Sequence, residues 1–265
     1  MKILIKNILF IFLFLFLVRD SFLYSAEIIA HRGASYLAPE NTIPSIALAW
    51  ENDVDSVEID VQLSKDNEIV LMHDKTTRRT AGVLKRVKSQ SLKKLKSLDV
   101  GKWKDEKWTG TKIPTLEESL GLLPIGKSYF IDIKSKKEII PSLKNIISES
   151  EYSSKELVFT GFSLSTMKEI KKAFPLNEVY LNVILNGTFE EELDKVIKRV
   201  NRSNLDGICL KCFPFIDSVL VTRVISENLK LYIWIINDCE TAKKLIQLGV
   251  TGIITNRPEL IKEVL

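Results

Sequence analysis

The sequence predicts an α/β fold in which helices cover a mostly parallel β-sheet. From residue 27 to the end of the chain, short apolar runs alternate with longer amphipathic stretches. This is the pattern of parallel strands joined by crossover helices. The chain has 265 residues, 45% of them hydrophobic, which is enough for one large core. The usual architectures for such a chain are an open doubly wound sheet and a closed eight-stranded barrel.

Nine apolar runs are candidate strands. The gap between the second and third runs is too short for a crossover helix, so we expect the third run to fold back as the antiparallel arm of a hairpin. Eight strands remain, and the sequence therefore predicts a (β/α)8, or TIM, barrel. The nine runs cover residues 28–31, 56–63, 69–73, 129–133, 157–160, 179–184, 207–211, 231–236 and 252–255.

The hairpin also predicts a register between its two arms. Asp66-Asn67 suits a two-residue turn, because both residue types tolerate the positive φ that such turns need. A turn centred on this pair places His73 directly opposite Asp60.

Amphipathic spacing and one capping motif predict the helices. Apolar residues recur at helical spacing over residues 42–52, 189–200 and 240–248. Thr115-Leu-Glu-Glu118 matches a capping box, so a helix is expected to begin there. Residues 74 to about 112 fit the alternation poorly, since they hold several glycines and many lysines. We interpret them as an insertion near the barrel mouth rather than as a separate domain.

The N-terminal segment is typical of an export signal. Lys2 and Lys6 precede an uninterrupted apolar run over residues 8–18. As a helix this run would be about 16 Å long, whereas the hydrocarbon core of a bilayer is roughly 30 Å thick. We therefore predict a signal peptide over residues 1–26, with an uncleaved anchor as the alternative. One domain would cover residues 27–265 of an exported protein, periplasmic or secreted.

The charge distribution argues against a nucleic-acid-binding protein. The formal net charge is +4, and the first 26 residues supply half of it. The remaining domain is too close to neutral for a nucleic-acid footprint. We interpret most basic residues in two short runs as solvated surface, with Lys134 as the exception. The runs hold Lys85, Arg86 and Lys88, and Lys134, Lys136 and Lys137.

The three cysteines do not form a disulfide framework or a zinc site. Cys209 and Cys212 have C-x-x-C spacing, but there is no second pair to complete a zinc site. The two also lie three positions apart in a predicted strand and would face opposite sides of it. We predict that both, and Cys239, are buried structural thiols.

Carboxylates lie along two predicted strands with a spacing of two residues. Glu58 and Asp60 share one face of the second strand, and Asp132 stands on the next parallel strand with Lys134 two residues later. Carboxylates that point into a barrel do not all ionise unless a cation offsets them. Hard oxygen ligands suit Mg²⁺, Ca²⁺ or Mn²⁺ better than zinc.

The only two histidines of the chain both stand at the ends of predicted strands. His31 is followed by Arg32, and His73 ends the returning arm of the hairpin. Two groups that titrate near neutrality, together with carboxylates and fixed cations, suit phosphoryl chemistry.

Eight motifs stand in the order seen in glycerophosphodiester phosphodiesterases, and the chain resembles that family from residue 28 to residue 258. The family has a TIM barrel with a small insertion after the histidine hairpin, where residues 74–112 stand here. The resemblance implies a metal-dependent phosphoric diester hydrolase. The motifs are His31-Arg-Gly-Ala, Pro39-Glu-Asn-Thr, Glu58-Ile-Asp-Val, His73-Asp74, Ile113-Pro-Thr-Leu-Glu-Glu, Asp132-Ile-Lys134, Trp234-Ile-Ile-Asn237 and Gly249-Val-Thr-Gly-Ile-Ile-Thr-Asn-Arg-Pro258.

The resemblance implies a role for each matching residue. Asn41 would order the loop after the first strand, and Asp132 departs from the family, which usually has Glu there. Gly161-Phe-Ser163 is a second departure, and we interpret it as ordinary packing at a strand end. The implied roles are general acid and base for His31 and His73, metal ligation for Glu58, Asp60 and Asp132, phosphate binding for Arg32 and Lys134, and substrate-pocket lining for Glu40 and Trp234.

The function that the resemblance implies is hydrolysis of glycerophosphodiesters to glycerol 3-phosphate and an alcohol. The expected cofactor is Mg²⁺ or Ca²⁺, with Mn²⁺ as a further candidate. One alternative is lysophospholipase D-type activity, for which Trp103 and Trp108 would form an apolar rim. Another is a barrel that binds phosphodiesters without catalysis. The expected partner is a small-molecule substrate, with membrane contact only through the N-terminal segment or a lipid substrate.

Overall fold

The protein is described by a computed structural model that covers residues 26–148, 152–185 and 189–263. Eight parallel strands close into a barrel, because the first strand pairs with both the second and the last. The predicted TIM barrel is therefore confirmed. The predicted signal segment lies outside the described residues, apart from Ala26. Within the described ranges, no helix has both the length and the apolarity needed to cross a bilayer.

Nine strands and ten α-helices occur in the described residues, and all strands except β3 form the barrel. The strands are β1 (Glu27–His31), β2 (Ser56–Leu63), β3 (Ile69–Leu71), β4 (Ser128–Ile133), β5 (Leu157–Gly161), β6 (Val179–Val183), β7 (Gly207–Lys211), β8 (Lys230–Trp234) and β9 (Gly252–Thr255). The helices are α1 (Ile43–Glu51), α2 (Arg78–Ala81), α3 (Leu92–Lys96), α4 (Leu116–Leu120), α5 (Ile140–Ser148), α6 (Leu164–Ala173), α7 (Phe189–Arg202), α8 (Ser218–Ile225), α9 (Cys239–Gln247) and α10 (Pro258–Lys262).

Alternation along the strands separates the barrel interior from the layer under the helices. One face of each strand packs against the helices in the main core. The other face fills the barrel, where the rings of Phe130 and Tyr232 meet edge to face at 5.0 Å. Residues two positions further along each strand stand above this plug and face the barrel mouth. The plug consists of Ile29, Phe130, Val158, Tyr180, Cys209, Tyr232 and Ile254.

Side-chain caps fix the starts of two helices near the barrel mouth. Thr42 caps α1, and its hydroxyl accepts a hydrogen bond from the backbone of Ser45. Thr115 and Glu118 form the predicted capping box at the start of α4. The capping-box prediction is thus confirmed.

The register of the hairpin differs by one residue from the predicted one. Leu63 pairs with Ile69, and the backbone N–H of Met72 donates to the carbonyl oxygen of Asp60 at 2.9 Å. The turn has three residues, 65–67, of which only Asn67 has positive φ, at 64°. Three-residue turns that end in a left-handed residue are a common hairpin form. The prediction that His73 lies opposite Asp60 is therefore wrong, and His73 stands in the loop that leaves β3.

The segment after the hairpin has a small apolar core of its own. Val87 and Leu95 are fully buried in it, together with Met72 and Val100. Trp103 is 41% exposed, and its indole N–H donates to the carbonyl oxygen of Val100 at 2.8 Å.

The cysteines are free thiols. Cys209 lies in the barrel interior, whereas Cys212 packs against the outer core, so the two face opposite sides as predicted. Cys212 and Cys239 are only partly buried, because the first follows β7 and the second begins α9.

Candidate active site

A cavity of about 150 Å³ opens at the carboxyl ends of the barrel strands. This is the face on which TIM-barrel enzymes carry their active sites. The structure brings all the sequence-predicted site residues to this cavity except Asp60, which lies beneath it, and Glu40. The lining residues are His31, Arg32, Glu58, His73, Asp132, Lys134, Thr160, Phe162, Asn182, Trp234, Ile235 and Ile254.

Three carboxylates converge at the floor of the cavity. Asp60 and Asp132 are direct neighbours in the β2–β4 pairing, and Glu58 stands two residues before Asp60 on the same face of β2. One oxygen from each of the three lies within 4.8 Å of the others, and all three side chains are buried. One carboxylate oxygen of Asp132 is buried without a hydrogen-bond partner among the described residues.

Two fixed cations face this acidic cluster. The guanidinium of Arg32 approaches Asp60 at 3.0 Å. The ammonium of Lys134 lies 2.9 Å from Asp60 and 2.6 Å from Asp132. Asp60 therefore holds both cations at the same point of the cavity floor.

The pKa values of the three carboxyl groups shift in different directions. Burial, then the charges of Asp60 and Asp132, raise the pKa of Glu58 well above its usual value. Burial also raises the pKa of Asp132, although Lys134 opposes it. For Asp60, burial is outweighed by Lys134 and Arg32, and its pKa falls below the usual value.

The donor set fits a divalent cation. Three buried carboxylates stand close together, the pKa values of Glu58 and Asp132 are raised, and one oxygen of Asp132 has no partner among the described residues. A bound cation would offset the repulsion among the carboxylates, stabilise their ionised forms and provide a partner for the free oxygen. Hard oxygen donors favour Mg²⁺, Ca²⁺ or Mn²⁺.

The imidazole of His31 is held by the loop after β9. Its Nδ1 donates to the side-chain oxygen of Asn256 at 2.6 Å, and its Nε2 lies 3.9 Å from Glu58. Burial, followed by the charge of Arg32, lowers the pKa of His31 to about 4. The Nε2 atom is therefore free of a proton near neutral pH and faces the cavity.

The second histidine is held by its sequence neighbour and by the end of β2. The Nδ1 of His73 donates to Asp74 at 2.8 Å. The amide of Gln62 donates to the carbonyl oxygens of Met72, His73 and Asp74, at 2.7, 3.2 and 2.8 Å. The loop that carries His73 is thus fixed to the barrel at three successive carbonyl groups.

An ion-pair chain joins the two sides of the site through the insertion. Arg79, in α2, donates to Asp74 at 2.9 Å and to both carboxylate oxygens of Glu40 at 2.7 Å. Glu40 in turn accepts from Arg32 at 2.9 Å. Glu40, predicted to line the substrate pocket, instead lies beside the cavity, with its carboxylate occupied by two arginines.

The loop after β1 folds as a tight unit against α1. The backbone of Arg32 is in the left-handed region, with φ of 58°, and its N–H donates to Glu58 at 2.9 Å. Asn41 donates to the carboxylate of Asp60 at 2.7 Å and accepts from the Asp60 N–H at 2.9 Å. These bonds place the loop relative to the carboxylates of β2.

Replacing Gly33 by alanine is expected to destabilise this loop beyond the cost of its positive φ. A Cβ at Gly33 would stand 2.5 Å from the backbone of Ser45, whereas one at Gly126, which has the same φ of 79°, meets nothing within 4 Å. Gly33→Ala should therefore lower the free energy of unfolding by about 1–3 kcal/mol more than Gly126→Ala, as for other overpacked sites. Urea denaturation of both variants measures the difference, and equal losses would contradict the predicted clash.

Two aromatic side chains, from the ends of β5 and β8, also line the cavity. Trp234 lies edge to face with Phe162, with ring centroids 5.9 Å apart, and its indole N–H donates to the carbonyl oxygen of Cys209 at 2.8 Å. The ammonium of Lys134 lies 5.6 Å from the ring centroid of Phe162. The tripeptide interpreted as strand-end packing thus supplies a cavity-lining residue.

Sequence reasoning missed several residues that support the site. Asn256 belongs to a motif that was recognised, yet its bond to His31 depends on the closure of the barrel between β1 and β9. Asn182, on β6, donates to Asp132 at 3.1 Å. Asp74 directly follows a site histidine, which was the available signal. Arg79 had none, because its contact with Glu40 joins two segments that are 39 residues apart in the sequence.

Comparisons with known proteins agree with this geometry. The model of the glycerophosphoryl diester phosphodiesterase family matches residues 31–260. A glycerophosphodiester phosphodiesterase of Caldanaerobacter subterraneus subsp. tengcongensis is 32% identical over 240 residues, which cover 88% of this chain and 95% of the relative. YhdW of Bacillus subtilis is 31% identical over 237 residues, which cover 88% and 96% of the two chains. The structure of an Oleispira antarctica phosphodiesterase in complex with the product sn-glycerol-3-phosphate superposes with a TM-score of 0.81 at 27% identity, covering 90% of this chain and 96% of that one.

Proposed function

Because this chain belongs to the glycerophosphoryl diester phosphodiesterase family, we propose that it hydrolyses glycerophosphodiesters to glycerol 3-phosphate and an alcohol. The observation that carries the proposal is a single cavity around which three carboxylates, two fixed cations and two histidines meet. The product complex of the Oleispira antarctica protein supports the same product here.

Arg32 and Lys134 bind the phosphate oxygens. Both cations are pre-positioned, since Asp60 holds them at 3.0 and 2.9 Å. Fixed charges of this kind stabilise the negative charge that develops on phosphate in the transition state. A divalent cation held by Glu58, Asp60 and Asp132 would add Lewis-acid polarisation of a phosphate oxygen.

The hydrogen-bond partners of the two histidines assign the general base to His31 and the general acid to His73. His31 donates through Nδ1 to Asn256, so its Nε2 accepts the proton of the nucleophile. Attack by water gives glycerol 3-phosphate directly, whereas attack by the neighbouring glycerol hydroxyl gives a cyclic phosphate that water then opens to the same product. His73 donates through Nδ1 to Asp74, which orients the ring and leaves Nε2 as the atom that acts on the leaving group. Its Nε2 therefore gives a proton to the departing alcohol.

The direct test is an assay of the purified full-length protein. Glycerophosphocholine, glycerophosphoethanolamine and lysophosphatidylcholine are supplied with Mg²⁺, Ca²⁺ or Mn²⁺, and then with excess EDTA. We expect glycerol 3-phosphate from the first two substrates and loss of activity with EDTA. Turnover of the lysophospholipid alone would favour the lysophospholipase D alternative. No turnover with any substrate and metal would favour the non-catalytic barrel.

Replacing Asp132 by asparagine is expected to weaken metal binding. The change removes a buried carboxylate charge from the cluster and keeps the shape of the side chain. Changes around metal sites commonly cost about 10–100-fold in affinity, and we expect a loss of that order. Isothermal titration with Mg²⁺, Ca²⁺ and Mn²⁺ measures it, with Asp132→Glu as the variant that keeps the charge. Unchanged affinity in Asp132→Asn would remove this residue from the ligand set.

Removing the guanidinium of Arg79 is expected to lower kcat more than it raises KM. Arg79 fixes Asp74, which orients His73, and Glu40, which holds Arg32. We expect a loss of about tenfold or more in kcat for Arg79→Ala, since misplaced catalytic groups cost up to 10²-fold. Added guanidinium ion should restore part of the activity. Arg78→Ala, an exposed neighbour in the same helix, is the matched control. A variant that matches wild type in kcat would exclude the positioning role.

The N-terminal segment is proposed to export the protein and to provide its only membrane contact apart from a lipid substrate. The support is the basic start and apolar run of residues 1–26. Fractionation of the host cell, with N-terminal sequencing of the exported form, distinguishes a cleaved signal from a retained anchor.

A further inference from the structure

A second cavity adjoins the active site where β2 and β4 end. It has a volume of about 300 Å³, and Lys134 lines both it and the active-site cavity. We call it the basic groove, because five cations and a single carboxylate line it. These charged residues are Lys75, Arg86, Lys88, Lys134, Lys136 and Glu138.

The groove is formed by two basic runs that are far apart in the sequence. Lys75, Arg86 and Lys88 come from the insertion, where the backbones of Lys75 and Val87 are hydrogen-bonded, and Lys136 follows β4. Separately, each run has the composition of a solvated surface. In the described part of the chain, these four side chains form no ion pair with a carboxylate. Within the described residues, their ammonium and guanidinium groups are therefore available to a bound anion.

The backbone that carries the groove residues of the insertion is anchored. Val87, between Arg86 and Lys88, is fully buried, and its N–H donates to the carbonyl oxygen of Lys75 at 3.0 Å. The carbonyl oxygen of the buried Gln90 accepts from the backbone of residue 65 at 2.8 Å. The two exposed cations thus project from a fixed segment, which reduces the entropy lost when they hold an anion.

The groove lies on the Lys134 side of the active site, across the barrel mouth from Trp234. β4 and β8 are separated by three strands on either side of the barrel, so Lys134 and Trp234 stand on opposite sides of its mouth. A glycerol group beside Trp234 and a phosphate beside Lys134 would direct the alcohol toward the end of β4. Gln62, which also lines the groove, holds the loop of His73, the proposed proton donor to that alcohol.

We propose that the basic groove binds a phosphate group carried by the alcohol part of the substrate. This inference rests on the proposed function and names a substrate class for it: glycerophosphodiesters whose alcohol bears a second phosphate. Lys and Arg side chains attract and hydrogen-bond phosphate oxygens. The second phosphate is either a terminal monoester or the next diester of a short glycerol phosphate oligomer. A quaternary ammonium group in the groove would instead meet four like charges that have no ion pair in the described residues, with Glu138 as the single carboxylate.

The test compares substrates that differ only in this group. Glycerophosphoglycerol is assayed beside the same molecule with a phosphate on its terminal hydroxyl, and beside the three-glycerol, two-phosphate oligomer. For the full-length protein at low salt, we expect a higher kcat/KM for the substrates with a second phosphate. This preference should fall as ionic strength rises.

Substitutions in the groove should reduce the preference. In Arg86→Gln/Lys88→Gln, the ratio of kcat/KM between phosphorylated and unphosphorylated substrate is expected to fall about threefold to tenfold, as for two partly exposed ion pairs. Each variant's turnover of glycerophosphoglycerol is its internal reference. Lys93→Gln is the matched control, because Lys93 is an exposed lysine of the same insertion outside the groove. It should keep the wild-type ratio.

Two outcomes separate failure of this inference from failure of the proposed function. Equal kcat/KM for the matched substrates, or a ratio that the double variant leaves unchanged, would overturn the groove as a phosphate subsite alone. Absence of hydrolysis of all three substrates, in every metal, would overturn the proposed function and this inference together. A preference for only one of the phosphorylated substrates would identify which form the groove accepts.

Discussion

Replacing His73 by alanine is expected to lower kcat for glycerophosphocholine by about 10²–10⁴-fold, the usual contribution of a positioned acid or base. The variant loses the proton donor that Asp74 orients at 2.8 Å, while the phosphate-binding cations and the carboxylates remain. KM should therefore change little. His31→Ala is expected to show a loss of the same order, because it removes the base that Asn256 orients. Steady-state kinetics of both variants with saturating metal gives the result.

A change of leaving group separates the two roles. The nitrophenyl ester of glycerol phosphate releases nitrophenolate, which leaves without a proton. His73→Ala should therefore lose much less activity on this substrate than on glycerophosphocholine, whereas His31→Ala should be impaired on both. Near-normal hydrolysis of glycerophosphocholine by either variant would refute acid–base catalysis by this pair. An equal loss for His73→Ala on both substrates would refute its assignment as the acid.

Replacing Lys134 by methionine is expected to affect both stability and catalysis. Its ammonium pairs with Asp60 and Asp132, and the change leaves two buried carboxylates without it. Removing one partner of a buried ion pair typically costs about 3–5 kcal/mol. In EDTA, we expect a loss of that order in the free energy of unfolding. With metal, kcat should fall by about 10²–10³-fold, as when a fixed charge-stabilising group is deleted.

The control for Lys134 is a lysine three residues later. Lys137 is exposed and lies outside both cavities, so Lys137→Met should leave stability and kcat unchanged. Lys134→Arg keeps the charge and should recover part of the stability. Near-normal catalysis by Lys134→Met would remove this residue from phosphate binding. A stable variant in EDTA would show that the carboxylates do not depend on it.

The barrel could be predicted from sequence because its strands obey a local rule. Buried parallel strands read as short apolar runs, and the spaces between them are long enough for helices everywhere except after β2. Residues two positions apart on one strand, such as Glu58 and Asp60, share a face of it. The positions of these site residues could therefore be predicted once their strand was identified. The site motifs are local in the same sense, since each is a short run of consecutive residues.

The hairpin register could not be predicted in this way. Two-residue and three-residue turns are both compatible with Lys65-Asp66-Asn67, and the difference shifts every pairing by one residue. The choice depends on contacts at both ends of the hairpin, including the bond from Ser64 to Glu68 at 2.9 Å. The predicted position of His73 opposite Asp60 failed for this reason.

The sequence by itself determined the α/β barrel, the strand ends that carry the histidines and carboxylates, and the family to which the chain belongs. The tertiary structure decided what those residues touch. Asn256 reaches His31 because β9 closes the barrel against β1, and Arg79 joins Asp74 to Glu40 because the insertion folds back over the mouth. The basic groove has the same origin. The spacing of apolar residues and the sequence motifs are properties of residues that are close in the chain. These contacts depend instead on the order of the strands and on closure of the barrel, which short stretches of sequence do not specify.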